Sequence, residues 1–194
     1  MNRLAVAVAS TVSAAALAAG PTATAEPSPG KHGAPARHHA PAKVANESAR
    51  LARSVLNAKG ITYATAHQDD TDKASLPKQN LIDVSNGRLA RTSPWGHKKG
   101  ARVALDTKML NGALKLSTQY HYKFQISEIV GGKHGSHTSK HYTGRAIDVT
   151  WINGRHVGEK ADHQGFMKAC RKLGASKVFG PGDKGHKRHV HCQW

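Results

Sequence analysis

The stretch from Ser139 to Asp148, with His141 near its start, and the pair His189 and His191 near the C-terminus hold the residue types whose spacing could do chemistry. Together they offer one carboxylate and several imidazoles, a donor set that suits borderline-soft Zn²⁺ better than magnesium or calcium. From Arg145 to Trp151 the residues alternate, so that Ile147, Val149 and Trp151 share one strand face and Ala146, Asp148 and Thr150 the other. Asp148 therefore faces away from the apolar layer. His189 and His191 flank Val190, so on a strand both rings leave one face, about 6–7 Å apart at the α-carbons. His141 precedes the first strand across Gly144, where a loop can fold it back over Asp148, and the small Gly144 and Ala146 keep the surroundings open. Two imidazoles and one carboxylate leave a fourth tetrahedral position for water, as in catalytic rather than closed structural zinc sites.

The pattern Ser-x-His-x-x-Gly-x-Ala-x-Asp ending at Asp148, with His-x-His at 189–191 and Gly131-Gly132 ahead of it, resembles the zinc D-Ala-D-Ala carboxypeptidases and murein endopeptidases. That group also includes the lysostaphin-type peptidases and the hedgehog signalling domain. The resemblance covers about residues 126–194. It implies that His141, Asp148 and His191 are the zinc ligands and that His189 is the non-ligand partner that assists the attacking water or the oxyanion. His186, His189 and His191 are similar in spacing to the C-terminal histidines of the penicillin-insensitive murein endopeptidases. Two positions depart from the pattern. Many carboxypeptidases carry an acid three residues before the last ligand, where this chain has Arg188, and an Arg after the Ser of the preceding strand, where it reads Ser127, Glu128, Ile129, Val130. An imidazole must then act as base, or an acid such as Glu128 must reach the site. An endopeptidase binds no terminal carboxylate, so the missing Arg favours that activity over D-Ala removal.

The elements that must position these residues follow from pattern. Asn46–Lys59 has helical periodicity with Asn46 as cap and Gly60 as stop, and Ile61–Ala64 suits a short strand. Ser75–Lys99 reads as turns around one short element at Leu81–Val84. Asp106 caps a helix over Thr107–Thr118 whose Met109, Leu110, Ala113, Leu114 and Leu116 face a core. Tyr122–Ile126 alternates as a strand leading into Gly131-Gly132. Asn153-Gly154 predicts a two-residue hairpin turn after the metal strand, with Val157 on the returning arm. Glu159–Leu173 reads as a helix, Lys177–Phe179 as a strand and His189–Gln193 as the last strand. The expected fold is α+β: a small antiparallel sheet covered by helices on one face, with a zinc cleft on the other. Cys192 is out of phase with His191 and so faces the helix side, where Cys170 lies on the apolar face of its helix; a Cys170–Cys192 disulfide follows.

Met1–Arg3 followed by the Ala-rich stretch Leu4–Ala19 and the small residues Ala23, Thr24 and Ala25 reads as a signal peptide over 1–25, with a mature chain from Glu26. Residues 26–45, rich in Pro, Ala, His, Lys and Gly, form an expected disordered linker, and 46–194 a single zinc peptidase-like domain. Asp69, Asp70 and Asp72 lack the Gly and Glu of a calcium loop and read as surface. The net charge of +17 calls for anionic partners. A secreted chain without zinc-finger spacing or an aromatic platform is not expected to bind nucleic acid, and after cleavage no segment would span a membrane. Peptidoglycan or another anionic wall polymer is the expected partner, and the protein is expected to be a secreted monomer.

Of fourteen histidines, His67, His97, His121, His156 and His163 read as ordinary surface or helix residues, and His134 or His137 could contact substrate or replace a ligand. The expected function is metal-assisted amide hydrolysis in peptidoglycan peptides. A weakly active or inactive relative serving as a zinc-containing binding module, favoured by Arg188 and the missing clamp, is the alternative; a basic inhibitor or toxin with incidental histidines is a third.

Overall fold

The computed structural model describes residues 42–68, 72–159 and 161–194, within one compact unit from His38 to Trp194. The expected signal peptide, most of the linker, and Asp69 and Asp70 lie outside the described residues. The elements are α1 (Ala42–Asn57), β1 (Ile61–Tyr63), α2 (Pro77–Ser85), β2 (Ala90–Arg91), β3 (Arg102–Val103), α3 (Thr107–Thr118), β4 (Phe124–Glu128), a 3₁₀ turn (Lys140–Thr143), β5 (Ala146–Ile152), β6 (Arg155–His156), α4 (His163–Lys172), β7 (Lys177–Phe179) and β8 (Val190–Gln193). Among the described residues no helix is long and apolar enough to cross a membrane.

Local chemistry explains most of these boundaries. The Asp106 carboxylate accepts from the Lys108 and Met109 amides and starts α3, and Asp162 accepts from the Gly165 amide and starts α4 later than the periodicity alone predicts. Pro77 at the first turn of α2 supplies a preset φ where no amide donor is needed, so this segment is a nine-residue helix rather than a short element between turns. α1 begins at Ala42, so Asn46 lies inside it and does not cap it; Leu51, Ala52 and Val55 are its buried face. In α3, Leu116 is buried with Met109, Leu110 and Ala113, while Leu114 is only half-buried. Asn153 and Gly154 both have positive φ, 51° and 78°, as a type I′ turn between β5 and β6 requires.

The main sheet runs β1-β4-β5-β8-β7, with β6 continuing along the edge of β5, and β2-β3 form a separate pair. It is mixed rather than antiparallel, because β1 pairs parallel to β4. The chain between them crosses over through α2, β2, β3 and α3, and such a crossover returns β4 in the direction of β1. Helices α3 and α4 cover the face that carries Cys192 and Trp194. Cys170 of α4 is bonded to Cys192 with α-carbons 6.4 Å apart, the Trp194 indole N–H donates to the Leu173 carbonyl at 3.1 Å, and Gly112 of α3 leaves the space that the Trp194 ring occupies. Phe166 packs edge-on to Tyr122 and Phe124 on the same side. Trp151 does not join this layer: it is exposed, with its ring edge against its hairpin partner His156.

Candidate metal centre

Register brings the site together. Asp148 of β5 pairs directly with His191 of β8 on one side and with Glu128 of β4 on the other, and directly opposed residues in antiparallel strands share a face. His141 arrives from outside the sheet. Its 3₁₀ turn ends at Gly144, whose φ of 67° reverses the chain. A Cβ at Gly144 would run into the Ala104 carbonyl, so the turn can close against the β3–α3 loop only with glycine.

His141, Asp148 and His191 are all buried, and their donor atoms form a small triangle. His141 Nε2 lies 3.0 Å from His191 Nδ1 and 3.2 Å from Asp148 Oδ1, and His191 Nδ1 lies 2.9 Å from Asp148 Oδ1. Ligands about 2.0–2.1 Å from a tetrahedral zinc stand about 3.3 Å from one another, so the triangle has the dimensions of one face of such a site, slightly contracted. The His141 Nδ1–H donates to the Ile129 carbonyl at 2.6 Å, which turns the Nε2 lone pair into the triangle, as an outer hydrogen bond does for a metal-bound histidine.

His134, His141 and Asp148 also each bring one donor atom within 4.8 Å of the others, a group that could hold a metal ion. Between His134 and His191 as third donor, ring geometry favours His191. The His134 ring is stacked on His141 with centroids 3.8 Å apart and planes 1° from parallel, and its Nε2 meets the Gly131 carbonyl at 2.7 Å. A metal in the plane of one stacked ring lies well out of the plane of the other, where no imidazole lone pair points. His134 is thus a wall against the His141 ring. His137 is exposed and near His97 rather than the triangle.

Charge within the cluster is mutually arranged. Burial opposes ionisation of Asp148, yet His141, His191 and His189 around it hold its carboxyl well below the usual range. Burial depresses the His141 imidazole, but the Asp148 carboxylate more than offsets this and leaves it raised. His189 is held below its ordinary value by burial, assisted by His186, His191 and His141 against the pull of Asp148. Its Nε2 is 4.0 Å from Asp148 Oδ1, outside the triangle, and its ring is 4.8 Å from that of His186. His134 is pushed down to about 3 by burial and by His141.

These groups line one cleft of about 830 Å³, whose walls also carry Glu128, Thr150, His156, Lys133, Lys184 and Arg188. A second cavity of about 640 Å³, around Asp83 and the arginines 88, 91 and 102, shares none of this lining.

His67 is the residue that sequence reasoning misplaced. It is buried, not on the surface. Its Nδ1 lies 2.8 Å from both Glu128 carboxylate oxygens, and its Nε2 lies 2.9 Å from the Ser75 hydroxyl. That hydroxyl meets Ser93 Oγ at 2.8 Å, which in turn accepts from the Gly132 amide. Burial pushes the Glu128 carboxyl up despite His67; it works the other way on His67, where Glu128 prevails and raises the imidazole. The sequence signal was Gly131-Gly132: a Cβ on Gly131 would strike His67 and the Ser75 carbonyl, and one on Gly132 would come 2.8 Å from the Glu128 carboxyl carbon.

A scan against protein-family models, a search of curated proteins and a search of solved structures returned no match to this chain.

Proposed function

We propose that this protein is an exported zinc metallopeptidase that hydrolyses amide bonds in peptidoglycan peptides, with endopeptidase action favoured over removal of a terminal D-Ala. The observation that carries the reading is the triangle of His141 Nε2, Asp148 Oδ1 and His191 Nδ1, three converging donors with edges of 2.9–3.2 Å at the floor of an open cleft. Two imidazoles and a carboxylate match the zinc donor set of hydrolytic sites and leave a position for substrate and water. Zinc held there would polarise the scissile carbonyl and bring the pKa of a water toward about 7.

The chain's own residues do the rest. The cleft receives the peptide, and Lys133, Lys184 and Arg188 along its walls attract peptide carboxylates. His189, kept neutral by its burial, donates its ring N–H toward the carbonyl oxygen as negative charge develops. No arginine stands in the Ser127–Val130 stretch to clamp a terminal carboxylate, which favours an internal bond. The disulfide and the leader-like N-terminus support an exported protein, since such bonds persist in oxidising compartments.

Purified peptidoglycan incubated with the protein, with and without a zinc chelator, tests this by mass spectrometry of released fragments. Chelator-sensitive fragments cut within stem or cross-bridge peptides are expected. Bound zinc with an intact wall and intact peptide pools would instead identify a binding module.

A further inference from the structure

We propose that Glu128 is the carboxylate that orients the attacking water, and that His67 is its positioning residue; the inference rests on reading the site as a peptidase. Three observations converge on it. Glu128 stands opposite Asp148 in the β4–β5 register, so it shares the face of the metal triangle on the side away from His191. Neighbouring side chains at such a pair have β-carbons about 4.5–5.5 Å apart, a distance from which a glutamate can reach a water held over the triangle. Its carboxylate also lines the cleft and retains 14 % of its exposure, while the His67 that grips it retains 1 %.

The second observation is the cradle. Evenly placed 2.8 Å contacts from His67 Nδ1 to both oxygens fix the carboxylate, and the Ser75–Ser93–Gly132 hydrogen bonds fix His67. The edge of Trp95, with ring centroids 5.6 Å apart, closes the other side. Gly131 and Gly132 are shaped to admit this assembly. A glutamate serving only as a surface residue requires none of it. The third observation is the composition of the cleft: Glu128 and the proposed ligand Asp148 are the only carboxylates among the described residues that line it, and the Arg188 guanidinium on its wall cannot accept a water proton.

The division of labour follows from the order of strands. On the β4 side Glu128 accepts the O–H of the attacking water and takes its proton as the O–C bond forms; on the β8 side His189 faces the oxyanion. The proton then passes from Glu128 to the leaving nitrogen as the C–N bond breaks, releasing a neutral amine and restoring the carboxylate.

The test uses the full protein loaded with cobalt(II), whose visible spectrum follows loss of a proton from the attacking water without any substrate. Glu128→Gln should bind cobalt with the stoichiometry of the wild type but move the spectral pH midpoint by about one unit or more, and slow fragment release by about 10²–10⁴-fold. His67→Ala should move the midpoint in the same way, and His67→Asn, which keeps an N–H near the Nδ1 position, should restore much of it. A wild-type midpoint in Glu128→Gln overturns the proposal even where the wild-type protein cuts peptide. A wild-type protein that binds no cobalt overturns the metal reading itself, and this proposal with it.

Discussion

Asp148 and His191 face each other across the β5–β8 pair, and His191 Nδ1 lies 2.9 Å from Asp148 Oδ1. The register sets this contact, so the two donors converge on one point, and His141 completes the triangle from the 3₁₀ turn. Replacing any of the three with alanine should abolish zinc binding and turnover together. His134→Ala should keep zinc, since the stacked ring cannot aim a lone pair at the same ion. Metal content after dialysis checks both halves: zinc lost from His134→Ala and kept by His191→Ala would reverse the assignment.

His189 is separable from the ligands because it stands 4.0 Å from the Asp148 carboxylate. His189→Ala is expected to retain zinc and lose about 10²–10³-fold in kcat, the scale of a missing oxyanion donor. An unchanged rate at full metal occupancy would remove it from the reaction.

His134 gives the metal-free protein an acid sensitivity of known sign. Burial and His141 push its imidazole down to about 3 from an ordinary value of 6.5. The unfolded chain therefore binds a proton that the fold excludes, so this contribution is complete above about pH 6.5 and is lost as pH falls toward 3. The depression corresponds to a few kcal/mol. His189 is depressed too and acts in the same direction, while Asp148 adds its loss only below its ordinary value of 3.8. Glu128, pushed up by burial, acts the other way in this window, so the readout is the difference between proteins: in urea unfolding with chelator between about pH 4 and 6.5, wild-type stability should change more steeply toward loss at acid pH than that of His134→Gln. Equal slopes in the two proteins would contradict the shift.

Cys170 and Cys192, 22 positions apart, clamp α4 to the sheet behind the site. Replacing both with alanine should cost about 3 kcal/mol through the freed unfolded chain. The urea midpoint measures this directly, and one unmoved by the double replacement would show that the bridge constrains little. Zinc binding, set by the opposite face, should survive at temperatures where the variant remains folded.

Short-range chemistry was legible in the chain itself. Alternation around Asp148, the Asp106 cap, the Asn153-Gly154 turn and the phase of Cys192 each involve neighbours whose geometry a strand, helix or turn dictates, whereas His189 lies just ahead of β8, outside the strand expected over His189–Gln193. What lay beyond that reach was decided by packing. The parallel entry of β1 depends on a crossover of some sixty residues, and a period of two says nothing about strand direction. His67 looked ordinary because its partner Glu128 is 61 positions away; only the sheet register and the glycine cradle bring them together. Whether His191 or His134 aims a lone pair at the same point as His141 likewise depends on ring orientation, which donor type and spacing do not specify. The sequence by itself determined which side chains could share a face. Tertiary structure decided which of them converge, because convergence depends on pairing between strands and on the direction in which each lone pair points.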